Sequence, residues 1–176
     1  AAAHKNDHGA DLVGINMEGP YISPKKVGAQ NPKYVMGADA AMFRRVQAQA
    51  NGLFKLCDLA PELPGAMQTI EELSGEVRIS LAHTEADYDT ACEAFRRGAR
   101  QVTHLYNAMP PFSHRAPGVI GAAFDSENVA VELIADGVHI HPSVVRAVFT
   151  LFGGRVILIS DSMMATGLDD GEYSLG

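Results

Sequence analysis

Six short runs dense in apolar residues recur along the chain: DLVGINME (11–18), LFKLCDLA (53–60), EVRISLAH (76–83), RQVTHLY (100–106), VAVELIAD (129–136) and RVILISD (155–161). Between several of them the apolar positions switch to helical spacing. In EADYDTACEAFRRG, Tyr88, Ala91, Cys92 and Phe95 fall on one face, Thr84 with Asp87 three residues on reads as a capping box, and Gly98 closes the segment. In PSVVRAVFTLFG, Pro142 opens a helix whose apolar stripe is Val145, Val148, Phe149 and Phe152, and Gly153 is placed to cap its end. Near-continuous apolar strands alternating with helices predict an α/β fold whose parallel sheet is covered on both faces.

Composition narrows the function classes. At 176 residues and 47% hydrophobic content, the chain is long enough for one globular domain with a real core. A formal net charge of −7 argues against a nucleic-acid partner, because no basic stripe is available to displace counterions from phosphates. Cys57 and Cys92 are too few and too scattered for a disulfide framework or a paired-cysteine metal knuckle. No apolar run reaches the roughly 18 residues a membrane span needs, and no signal core opens the chain. These features together predict a cytoplasmic protein with no membrane or nucleic-acid partner.

The candidate chemistry sits at the ends of the runs. Ligands of parallel α/β sheets bind at the carboxyl ends of strands, where the following loops converge. Here those ends carry Glu18, Asp58 with Glu62 nearby, His83, His104, Asp136 with His139, and Asp161. A single histidine at a strand end is an ordinary polar edge residue. Glu18, His83 and His104 together make a three-ligand set for zinc or a similar divalent ion, with a coordination position left for water. Asp161 can cap a turn after VILIS, or serve as general base to a metal-activated water. Of the pair in DGVHIHP, His139 is the expected substrate contact and His141 the structural residue. Arg115, in the constrained loop NAMPPFSHRAPG, is either a solvated charge or an anchor for a phosphate or carboxylate. Lys25, Lys26, His4, His8 and His114 read as surface residues, Met163 and Met164 as walls of the site, and Gly118 and Gly121 as turn positions. No dinucleotide fingerprint or phosphate-binding P-loop is present.

The segments MEGPYISPKKVGAQNP, LAPE, SLAHTEA, VTHLYNAMPPFSHRAPG, IADGVHIHP and ISDSMMATG resemble, in order and spacing, the N-acetylglucosamine-6-phosphate deacetylases of the amidohydrolase superfamily. The resemblance runs from about residue 11 to the end of the chain. It implies a metal-dependent (β/α)8 TIM barrel, present here as about six βα units, that hydrolyses the acetamido group of N-acetyl-D-glucosamine 6-phosphate to glucosamine 6-phosphate and acetate. It implies a divalent metal (Zn, Fe, Mn or Co, as one or two ions) on Glu18, His83 and His104, and Asp161 as the acid/base. Asn107, the backbone of Ala108, Arg115 and His139 would meet the amino-sugar phosphate, with Arg115 reaching across a homodimer interface. Gln30 stands where many relatives carry a histidine; it can donate an amide hydrogen bond but not a proton. A barrel of this class needs about 250 residues, so residues 1–176 are expected to be a partial catalytic domain, lacking the first barrel strands and a small β-sandwich. AAAHKNDHGA reads as a helix leading into a mid-barrel strand. The rival expectations are a deacetylase for another N-acetyl hexosamine phosphate and a catalytically silent fragment that only binds sugar phosphate.

Overall fold

The computed structural model describes residue 9 and residues 11–174. The segment read as an N-terminal helix, with His4 and His8, lies almost wholly outside the described residues. Six strands follow in chain order, β1 (Ile15–Glu18), β2 (Phe54–Leu59), β3 (Arg78–Leu81), β4 (Gln101–Val102), β5 (Ala130–Ile134) and β6 (Val156–Ile159). Between them lie α1 (Ala40–Gln49), α2 (Ala66–Leu73), α3 (Tyr88–Arg97), α4 (Gly118–Asp125) and α5 (Pro142–Phe152). All five strand pairings are parallel, and the spatial order is the sequential order. Right-handed crossovers in one direction put every helix on the same side and curl the sheet, as in half of a barrel.

The two faces of the sheet follow from its register. Cys57, Leu59, Ile79, Leu81, Val102, Val131 and Leu133 face the helices and join one apolar core with Ile70 and Leu73 of α2, Phe95 of α3, Ile120 of α4 and Val148 and Phe152 of α5. The opposite face carries a row of polar residues beside apolar Leu56, Ile134, Ile157 and Ile159. Glu18 pairs with Asp58, Asp58 with Ser80, and Ser80 with Gln101, and partners in a parallel register share a face. Asn16 Nδ2 donates to Asp58 Oδ2 at 3.1 Å, Gln101 Nε2 donates to Glu132 Oε1 at 2.6 Å, and the Ser80 and Thr103 hydroxyls are 2.7 Å apart. The expectation of helices on both faces is therefore corrected: one face is an apolar helix-packing surface and the other a polar interior.

Several local expectations also change. Asp87, not Thr84, is the N-cap of α3, its carboxylate accepting Thr90 N–H at 2.8 Å. Thr84 is committed elsewhere: its hydroxyl donates to Glu62 and accepts Ala86 N–H. In α5 the buried stripe is Val148 and Phe152, while Phe149 faces solvent. His141 caps α5, as its structural assignment requires, with Ser143 N–H donating to its side chain. Gly121 is no turn residue but lies inside α4, where a Cβ would come within 2.4 Å of Pro117. Gly118, at φ +56°, does mark the turn into that helix. No helix among the described residues is long and apolar enough to cross a membrane.

Candidate active site and metal centre

The strand runs end earlier than their apolar patterning implies, and the difference creates the site. His83, His104 and Asp161 each fall two positions past the last paired residue of β3, β4 and β6. There the backbone leaves the extended conformation, with φ of +45°, +32° and +50° at the three residues. Left-handed backbone at a non-glycine residue costs on the order of 1–3 kcal/mol and persists where surrounding structure enforces it. Strict alternation would send His83 with Ile79 and Leu81, and His104 with Val102, into the helix layer. The left-handed turn directs both rings to the mouth of the sheet instead.

Neighbouring loops hold these residues in place. Ser23 N–H donates to His83 C=O at 2.8 Å, and His83 Nδ1 donates to Lys26 C=O at 2.6 Å. Glu62 accepts both the Thr84 hydroxyl and Glu85 N–H, and Thr84 N–H donates to Ala108 C=O at 3.0 Å. Leu105 N–H donates to Glu132 C=O at 2.8 Å just beyond His104. The loop after β1 is thus tied to the loop after β3, and that loop to the Asn107–Ala108 turn.

At the centre, Glu18 Oε1 lies 2.7 Å from His83 Nε2 and 3.4 Å from His104 Nε2, and the two imidazole nitrogens are 3.1 Å apart. One ligand atom from each residue lies within 4.8 Å of the others, and both rings are buried. The ring nitrogens of His104 and then His83 beside it, opposed by burial, hold the Glu18 carboxyl down at about 2, so it is ionised. Burial disfavours charge on His104, but the hydrogen bond and charge of Glu18, with Asp161 adding, raise its pKa overall. Since His83 gives its Nδ1 proton to a carbonyl, the lone pair of its neutral form is on Nε2, facing the second imidazole and the carboxylate. Two ring nitrogens and an anionic oxygen converging in a buried space fit a divalent cation. His104 Nδ1 is buried without a partner among the described residues, so no acceptor fixes this ring as Lys26 fixes His83.

A pocket of about 460 Å³ opens over this cluster, and of the residues named from the sequence it brings together Glu18, Gln30, His83, His104, Asn107, Ala108, His139 and Asp161. Met163 lines it, whereas Met164 is exposed outside its wall. Gln30 fits beneath the chain because Gly19, at φ +84°, has no side chain: a Cβ there would sit 2.3 Å from Gln30 Oε1. Arg115 does not line this pocket. It borders a separate hollow of about 370 Å³ with Glu85, Asp89 and Pro110.

Sequence reasoning missed the Lys26 carbonyl as a fixing group, and named Glu62 without the partners it holds. The Lys26 carbonyl has no side-chain signature at all, and the partners of Glu62 lie 22 and 23 positions away. Asp136, named with His139 at its strand end, also carried a signal for its fixing role: Asp-Gly followed by two amides within reach of the carboxylate.

Fold and donor set together define a parallel half-barrel α/β protein with three side chains able to hold a cation at the carboxyl ends of its strands. No family model matches the chain. The N-acetylglucosamine-6-phosphate deacetylase of Bacillus subtilis (strain 168) is 45% identical over 178 residues, an alignment covering 100% of this chain and 45% of the relative. The N-acetylgalactosamine-6-phosphate deacetylase of Escherichia coli O157:H7 is 36% identical over 168 residues, covering 95% of this chain and 45% of that protein. Among solved structures, a mutant N-acetyl-D-glucosamine-6-phosphate deacetylase from Mycobacterium smegmatis, in complex with N-acetyl-D-glucosamine-6-phosphate, is similar at a TM-score of 0.89 and 39% identity, covering 93% of this chain and 43% of that one. The chain is a homologue of the N-acetylglucosamine-6-phosphate deacetylases over nearly its whole length, and spans less than half of theirs.

Proposed function

We propose that this chain forms the metal-bearing part of the catalytic (β/α)8 barrel of an N-acetylglucosamine-6-phosphate deacetylase. The observation that carries the proposal is the convergence of Glu18, His83 and His104 beneath a pocket that Asp161 also lines. A longer protein of the relatives' size would supply the remaining strands and a small β-sandwich. Glu18, His83 and His104 would hold a divalent cation such as Zn, Fe, Mn or Co, which would supply acidification of water and polarisation of the acetamide carbonyl.

The residues of the chain do the rest. Asp161 takes the proton of the attacking water as its oxygen bonds to the carbonyl carbon. It then delivers that proton to the sugar nitrogen, so the C–N bond breaks to acetate and a primary amine. Gln30 and His139 hold the substrate around the reacting group, and Asn107 with the Ala108 backbone receives the sugar phosphate. Arg115, outside the pocket of its own subunit, serves the phosphate bound in the partner of a homodimer.

The E. coli relative supports a second reading, in which the preferred substrate is the galacto epimer. Acetate release by the metal-loaded full-length protein should be measured on both N-acetyl hexosamine 6-phosphates. The expected result is higher kcat/KM on the gluco epimer. Asp161→Asn should lower kcat by roughly 10²- to 10⁴-fold, whereas Arg115→Ala should chiefly raise KM. Preference for the galacto epimer supports the second reading, and no release from either sugar contradicts both.

A further inference from the structure

Asp136 stands two positions past β5 and takes no part in the cation cluster. Its Oδ1 accepts the backbone N–H groups of Val138 and His139, each at 2.9 Å, while its Oδ2 lies 2.7 Å from His139 Nδ1. Gly137 makes the turn at φ +76°. The two amides fix the carboxylate, and the carboxylate in turn fixes the ring. Its pKa is pulled down to about 2, first by the hydrogen bond from the His139 ring and then by the backbone donors, so at neutral pH it can only accept. The proton between the two side chains therefore sits on Nδ1. His139 lines the pocket that also holds Asn107 and Asp161, and Nε2 is the ring nitrogen that Asp136 leaves free for a ligand there.

We infer that Asp136 is a positioning residue: it fixes the orientation and tautomer of His139, so that in the neutral ring Nε2 offers a lone pair to a hydroxyl of the bound sugar. A carboxylate partner decides which ring nitrogen carries hydrogen, and losing such a partner inverts that choice. The inference rests on the sugar-phosphate reading of the pocket, but its structural half can be tested without turnover.

The test is Asp136→Asn in the metal-loaded full-length protein. An asparagine whose oxygen stays on the two amides turns its NH₂ toward Nδ1, which then has to accept, and the hydrogen moves to Nε2. With ¹⁵N-labelled histidine, the His139 resonances should exchange their protonated and unprotonated positions between wild type and variant at a pH where the ring is neutral. Bound metal per chain should stay unchanged. The kcat/KM for the sugar phosphate should fall by roughly 10- to 100-fold, as on losing a group that orients a functional imidazole. An unchanged tautomer, or an inverted tautomer with wild-type kcat/KM, overturns the inference. A wild-type protein inactive on both sugars, but showing the exchange, would remove the proposed substrate and leave the orienting role of Asp136 standing.

Discussion

Asp58 lies fully buried on the inner face of the sheet, with Oδ2 bonded to Asn16 and Oδ1 unpaired among the described residues. Burial raises its pKa well above the ordinary range; the Asn16 hydrogen bond opposes this, and the charges of Glu18 and Glu132 add to it. The folded state then keeps a proton that the unfolded chain releases above about pH 3.9. This contribution to stability is fully present below that pH and is lost as pH rises toward the folded-state value. Asp58→Asn never ionises, so it should escape the loss. We expect the variant and wild type to be similar near pH 4 and the variant to be more stable at pH 7, by about 1.4 kcal/mol for each unit of displacement. Denaturant unfolding of the full-length protein at the two pH values, with metal conditions fixed, checks this; lower stability of the variant at pH 7 would contradict it. Residue identity was the most legible level of the sequence. Glu18, His83 and His104 stood out as donor types at strand ends. Their grouping as one ligand set was read from the strand ends, and the structure brings them together; the means was not legible, because it depends on left-handed backbone at two histidines that alternation alone would bury behind the sheet.

Helices were legible because their apolar spacing and their caps are local signals. The start of α3 shows the limit of that reading. The sequence reads Thr84 as the cap and Asp87 as its capping-box partner, but Glu62 engages the Thr84 hydroxyl from a distant loop and Asp87 is the cap. Asp87→Ala should therefore cost about 1 kcal/mol of stability, as loss of a helix cap does, and leave metal affinity unchanged. Thr84→Ala should report instead in metal affinity, because it loosens the turn directly after His83. Denaturant midpoints and chelator competition on both variants separate the two effects, and a capping-type loss for Thr84→Ala without any change in affinity would contradict the assignment. Strand ends were less legible for a related reason. Apolar residues continue past the last ladder bond in β3 and β4, so hydrophobicity alone overruns the point where the chain turns toward the pocket.

At the scale of the whole molecule, the parallel α/β class was legible and the disposition of its layers was not. Asp58, Ser80 and Glu132 each stand between two apolar residues in their own strands, and with Gln101 they mark the polar row of the inner face. Read as continuous apolar runs, the same segments point to helices on both sides. The polar interior explains how one sheet can support a packed helix layer and a charged cluster at once: the apolar side chains form the core, while the inner face and its loops carry Glu18 and the two histidines. The proposed deacetylase depends on that cluster holding a cation. Metal content and affinity, determined by elemental analysis and chelator competition on the full-length protein, Glu18→Gln and His104→Asn, test this most directly. The account predicts at least one divalent ion per wild-type chain, with affinity and deacetylation each reduced by at least about tenfold in both variants. A wild-type protein without divalent metal, or variants that keep wild-type affinity and activity, would contradict it.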